Sequence, residues 1–243
     1  MLGGQRWARA IGPGSLFRMG ELMVPGAMTL PRPTAIPRLA REIELRTSIE
    51  VARDSTIVPL SVDKLWTTPF LFFAGDRRFA PPTAPQVEAL RRFLTFGGFL
   101  FIDSAEGRAG GEFDASVRQM VAEIFPPPAA ALAPLPDDHV LNKSFYLISM
   151  VAGRVAVARQ LEAVIHDGRA VVVYSQNDLG GAWAKDQLGQ YAFQCYPGGE
   201  LQREHAFRLG INVAMYALCL DYKTDQVHVP FILKRRRWRV GEP

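Results

Sequence analysis

The segment that most restricts this chain is Phe70-Leu71-Phe72-Phe73-Ala74, five apolar residues in a row closed by Gly75-Asp76. A strand apolar at every position has no face for water, so it belongs inside a sheet covered on both sides by helices. A second such run, Phe99-Leu100-Phe101-Ile102, leads into Asp103-Ser104. Between the two, Thr83 and Gln86 stand at capping-box spacing, Val87, Leu90, Phe93 and Leu94 share one helical face, and Gly97-Gly98 ends the helix. Strand, helix and strand within about 35 residues predict a right-handed crossover and two parallel strands.

The rest of the chain extends that pattern. Ile36, Leu39, Ala40 and Ile43 predict a helix over 34–46, and Thr56 to Leu60 an extended piece. Asp114 is placed to cap a helix whose Val117, Met120, Val121 and Ile124 share a face, and Pro126-Pro127-Pro128 stops it. The proline- and alanine-rich stretch 126–138 reads as a loop. Short strands are expected at 145–151 and 161–166, and Ala170-Val171-Val172-Val173-Tyr174 is a third buried strand ahead of Ser175-Gln176-Asn177-Asp178. An irregular stretch over 179–200 precedes a helix over about 201–220. Alternating strands and helices give an α/β class with an open, mostly parallel sheet flanked by helices. At 243 residues the chain suits one core with tails: a lead-in over 1–16, an α/β domain over 17–233 and a basic tail over 234–243.

Charge argues against a nucleic-acid partner. Lys234, Arg235, Arg236, Arg237 and Arg239 outweigh the whole net charge of +4, so the remainder of the chain is slightly acidic. Proteins that grip nucleic acid spread positive charge over a face of the fold. The basic end is a solvated tail, or else a contact for an anionic membrane surface or an acidic partner. Cys195 and Cys219 have neither redox nor zinc spacing, and Cys219, on an apolar run, is expected as a buried thiol. No run reaches the roughly 18 apolar residues of a membrane span. No apolar core of a signal peptide follows Arg6, Arg9 and Arg18, which leaves a cytoplasmic location as the reading of the residues alone. No phosphate-loop or dinucleotide motif is present, so no cofactor is expected.

Several blocks together carry a resemblance. They are Arg46-Thr47-Ser48-Ile49-Glu50-Val51, Leu90-Arg91-Arg92-Phe93-Leu94 with Gly97 to Asp103, Asp138-His139, Phe145-Tyr146, Tyr174 to Leu179 with Ala182-Trp183, Gly198-Gly199-Glu200 to Gly210-Ile211-Asn212, and Tyr222-Lys223 with His228. In order and spacing over roughly 17–240 the chain resembles the bacterial domain-of-unknown-function family 4159. The resemblance implies a flavodoxin-like, class I glutamine amidotransferase-like or trehalose-utilisation-like fold. It also implies an exported or membrane-associated setting, beside von Willebrand A and MoxR-type ATPase proteins. In the amidotransferase-like fold the nucleophilic cysteine would fall at position 104, which is serine here. A complete α/β scaffold with that nucleophile absent points to a degenerate amidotransferase-like domain that binds a protein partner or small ligand.

The residues leave two functional classes open. Ligands of open α/β sheets bind at the carboxyl ends of strands. If the three apolar strands are neighbours, Asp76, Asp103 and Asp178 open onto one cleft, where mutual repulsion would raise a carboxyl pKa. A hydrolase would use Asp103 and Asp178 with Ser104 or His139, although no G-x-S-x-G motif surrounds Ser104. A binding module would use Asp76, Asn177, Trp183 and Arg203 around a pocket. Against both stands the plainer reading that each acid caps a turn or helix, that His139 fastens its loop and that Trp183 packs. Asn212 falls on an apolar helix face and must find a partner there.

Overall fold

The computed structural model describes residues 16–26, 30–61, 63–126 and 131–237, with side chains described through 219. The lead-in up to residue 15, Arg239, and the side chains of Lys234, Arg235, Arg236 and Arg237 lie outside that set. In chain order the elements are β1 (Met19–Met23), α1 (Ala35–Arg46), β2 (Thr56–Pro59), β3 (Phe70–Gly75), α2 (Ala84–Thr95) and β4 (Phe99–Ser104). They continue with α3 (Glu112–Ile124), β5 (Ala133–Pro134), β6 (Glu162–His166), β7 (Arg169–Ser175), α4 (Leu179–Trp183) and α5 (Gly199–Arg237).

All seven strands form one sheet in the order β2-β1-β3-β4-β7-β6-β5. The first five run parallel, and β6 and β5 join antiparallel at one edge. The three apolar strands β3, β4 and β7 are adjacent, with Phe72 opposite Phe101 and Phe101 opposite Val173. Alternate side chains supply the two faces. Phe70, Phe72, Phe99, Phe101 and Val173 pack with α1, α4 and α5, whereas Leu71, Phe73, Leu100, Ile102 and Val172 pack with α2 and α3. The chain is thus an α/β fold whose central strands are buried on both faces.

Local chemistry explains the boundaries. The Thr83 amide donates to Gln86 Oε1 at 2.8 Å, which completes the start of α2. At its end Gly97 takes φ 116° and the Gly98 amide returns to the Phe93 carbonyl at 2.8 Å. The β6–β7 hairpin turns on Asp167-Gly168, both with positive φ (50° and 72°), the turn that matches strand twist.

Several expectations need correction. Residues 145–151 form no strand; they are irregular, with the Tyr146 amide and Val151 carbonyl bonded to side chains and the Ile148 amide to the Asn142 carbonyl. Asp114 does not cap α3: the helix starts earlier, at Glu112, and the Glu106 carboxylate takes the Asp114 amide at 3.2 Å. A short helix, α4, interrupts the irregular stretch after Asp178. α5 continues to Arg237, well past the end of the apolar run, because no glycine stops it at residue 220. Cys219 is exposed, while Cys195 is buried. Among the described residues, no helix is long and apolar enough to cross a membrane.

Candidate functional site

The carboxyl ends of β4 and β7 lie side by side, since Asp103 pairs in register with Ser175. Asp103, fully buried, accepts the Leu179 amide at 3.0 Å and the Gly180 amide at 2.8 Å, so it caps α4 from the neighbouring strand. Asp178 caps the same helix directly, accepting the Gly181 amide at 2.8 Å from a left-handed backbone that aspartate tolerates. Two carboxylates in so small a volume oppose each other. Burial first, and the charge of Asp178 second, push the Asp103 carboxyl up to about 7, against the amides of Gly180 and Leu179.

Two guanidinium groups converge on Asp178. Arg32 donates from Nε at 3.2 Å and from Nη2 at 2.8 Å, and Arg154 donates from Nε to the same carboxylate. Phe193 supports both cations, with its ring 4.1 Å from Arg32 and 6.0 Å from Arg154. Arg32 stands between Pro31 and Pro33, residues that fix the backbone entering α1. Arg154 belongs to the long irregular segment between the 3₁₀ turn Val140–Lys143 and β6.

That segment, residues 144–161, is held by three buried carboxamides. Asn177 makes every bond open to it: Oδ1 accepts the amides of Val157 and Ala158, each at 2.8 Å, and Nδ2 donates to the carbonyls of Val151 and Ala158. Gln202 donates to the carbonyls of Gly153 at 2.7 Å, Tyr196 at 3.0 Å and Arg154 at 3.2 Å, while accepting the Gly198 amide at 2.9 Å. Asn212 accepts the Tyr146 amide at 2.7 Å and donates to the Tyr146 and Leu141 carbonyls. A Cβ at Gly153 would lie 2.2 Å from the Asn177 carbonyl oxygen, so only glycine lets the segment press onto the strand end. A loop of this length without regular structure normally melts or serves a function. Here each turn of it is pinned to the scaffold.

The other predicted site residues disperse. Ser104 is fully buried, its hydroxyl 3.5 Å from Glu106 Oε2. His139 accepts the Leu141 amide at Nδ1 and lies 5.4 Å from the ring of Tyr216. The Tyr216 hydroxyl takes the Ala170 amide at 2.9 Å, so this histidine sits at the amino end of β7. The strand from Ala170 to Ser175 covers about 17 Å at roughly 3.3 Å per residue, which separates His139 from the acids. Burial lowers the His139 pKa further. Asp76 pairs with its neighbour Arg77 at 2.9 Å. Trp183 is buried against Phe72 and Phe207. Arg203, also buried, donates to the Ala182 carbonyl at 2.5 Å and the Phe193 carbonyl at 2.8 Å, with its guanidinium 3.8 Å from the ring of Tyr191.

The structure therefore brings Asp103, Asn177 and Asp178 together and leaves Asp76, Ser104, His139, Trp183 and Arg203 with separate tasks. Arg32, Arg154 and Gln202 carry the arrangement and had no sequence signal beyond the prolines flanking Arg32. Among the described residues no group of three His, Cys, Asp or Glu side chains is placed to hold a metal ion. No curated protein matches the chain. Residues 24–218 match the family described as Domain of unknown function (DUF4159), and over that span, which holds every strand but β1 and all the residues around Asp178, the chain belongs to it.

Proposed function

We propose that this domain is a binding module in which the polar groups at the strand ends shape a recognition loop in place of performing catalysis. The observation that supports the reading is the use made of Asp178: a buried carboxylate committed to two arginines and a helix amide has no lone pair left for a substrate proton. Asp103 is committed likewise to two amides. A nucleophile must be open to substrate as well as near a base; Ser104 is fully buried, its Glu106 neighbour at 3.5 Å also takes the Asp114 amide, and His139 sits at the far end of the sheet. What remains presented to a partner is the pinned segment 144–161. This reading is consistent with an amidotransferase-like ancestry in which position 104 no longer carries a cysteine.

The test treats the purified chain with a fluorophosphonate that labels activated serines, and in parallel captures partners from the native organism. Ser104 is expected to stay unlabelled, and a reproducible partner or ligand to be lost in Asn177→Ala. Labelling of Ser104 would overturn the proposal in favour of a hydrolase.

A further inference from the structure

Beside the pinned segment a cleft of about 510 Å³ opens against the start of α5, lined among others by Met150, Val151, Ala152, Ala158, Arg159 and Leu201. It continues past Arg159 into a second lobe of about 500 Å³, which shares Ser149, Met150, Val151 and Arg159 and also contains Asp137. Each lobe has the size of a small-ligand site. Met150 and Leu201 keep 42% and 67% of their surface exposed, so apolar wall is left uncovered on both sides of the first lobe. Arg159, where the lobes meet, is exposed and has no hydrogen bond or ion pair with any described residue.

The walls are preorganised. Asn177 holds Val151, Val157 and Ala158, and Gln202 holds Gly153 and Gly198, so a ligand entering the cleft does not have to order it. A guanidinium with its donors free matches carboxylate and phosphate equally well in shape. Charge separates the two. The first lobe offers one cation and the adjoining lobe carries the Asp137 carboxylate, so a monoanion is neutralised and a dianion is not.

We propose that this cleft binds a small amphiphilic carboxylate, with its apolar chain along Met150, Val151, Ala158 and Leu201 and its carboxylate on Arg159. The inference rests on the binding-module reading and names the ligand class of the segment that reading identifies. It requires that the apolar chain and the single negative charge act together: either alone should bind weakly.

Octanoate is the probe, with 1-octanol as its neutral counterpart, titrated calorimetrically into the full chain at low salt. Octanoate is expected to bind saturably and about tenfold tighter than octanol, the effect of one charge-assisted hydrogen-bond pair. Arg159→Gln is expected to bring the two within about twofold of each other, and Leu201→Asp to abolish octanoate binding. Both positions are exposed, so neither change threatens the fold. Absence of saturable octanoate binding, or an unchanged preference in Arg159→Gln, would overturn the proposal. So would binding of a Leu-Leu-ended peptide without octanoate, which would assign the cleft to a protein chain end. Ser104 labelling is scored separately, so failure with octanoate while Ser104 stays unlabelled removes the ligand class and leaves the binding module standing.

Discussion

Arg32 and Asp178 are joined by two parallel hydrogen bonds, Nε to Oδ1 at 3.2 Å and Nη2 to Oδ2 at 2.8 Å, across 146 positions of sequence. The carboxylate is fully buried, whereas Arg32 reaches solvent with 15% of its side chain exposed. This pair ties the entry to α1 to the end of β7, and Arg154 extends the tie to the irregular segment.

Removing the charge of Asp178 leaves two cations facing one buried site. Asp178→Asn is expected to destabilise the protein by about 3 kcal/mol, the low end of the cost of breaking a buried pair, because both arginines reach solvent. Urea denaturation checks the value. Amide exchange should rise at Arg154 and Val155, whose N–H groups bond to the carbonyls of Asp178 and Asn177. If Arg32→Gln and Asp178→Asn destabilise additively in the double variant, the pair is not coupled as described.

The Asp103 carboxyl, raised to about 7 from an ordinary value of about 3.9, makes stability depend on pH in a defined direction. Between those two values the folded state holds a proton that the unfolded chain has released. Stability is therefore greatest below pH 4, so far as this group is concerned, and falls as pH rises towards 7, then levels. Asp103→Asn is expected to flatten that fall, whatever its absolute effect on stability. Urea midpoints measured from pH 4.5 to pH 8 on both proteins decide it, and parallel curves would refute the assignment.

Asn212 serves three backbone groups of residues 141–146. Asn212→Leu preserves volume but strands the Tyr146 amide and carbonyl, each costing about 1–3 kcal/mol when left unsatisfied, while the Leu141 carbonyl keeps the Ser144 hydroxyl. It is expected to destabilise by at least about 2 kcal/mol and to unprotect the Tyr146 amide in exchange experiments. A variant as stable as the parent would mean that water satisfies those groups.

Gly210 poses a contest between propensity and packing. Alanine in a helix interior is favoured over glycine by about 1 kcal/mol. A Cβ here, however, would lie 2.5 Å from Trp183 Cζ2 and 2.9 Å from Leu39 Cδ1. Overpacking of a filled core costs about 1–3 kcal/mol, so Gly210→Ala is expected to lower the melting temperature. A rise would show that Trp183 moves aside at little cost.

What the amino-acid order determined alone was the local grammar. Phe70–Ala74 and Phe99–Ile102 became buried neighbouring strands, Thr83 and Gln86 started a helix, and Gly97-Gly98 ended it, because these features depend on contacts within one turn or one strand. The adjacency of Asp103 and Asp178 was also foreshadowed, since three wholly apolar strands have only the sheet interior to occupy. Tertiary structure alone decided what those acids do. Arg32 and Arg154 reach Asp178 from 146 and 24 positions away, and Asn177, Gln202 and Asn212 take up the backbone of 144–161, of which 145–151 reads locally as a strand. A buried hydrogen-bond partner is chosen by what the fold brings within about 3 Å, and spacing along the chain carries no record of that choice.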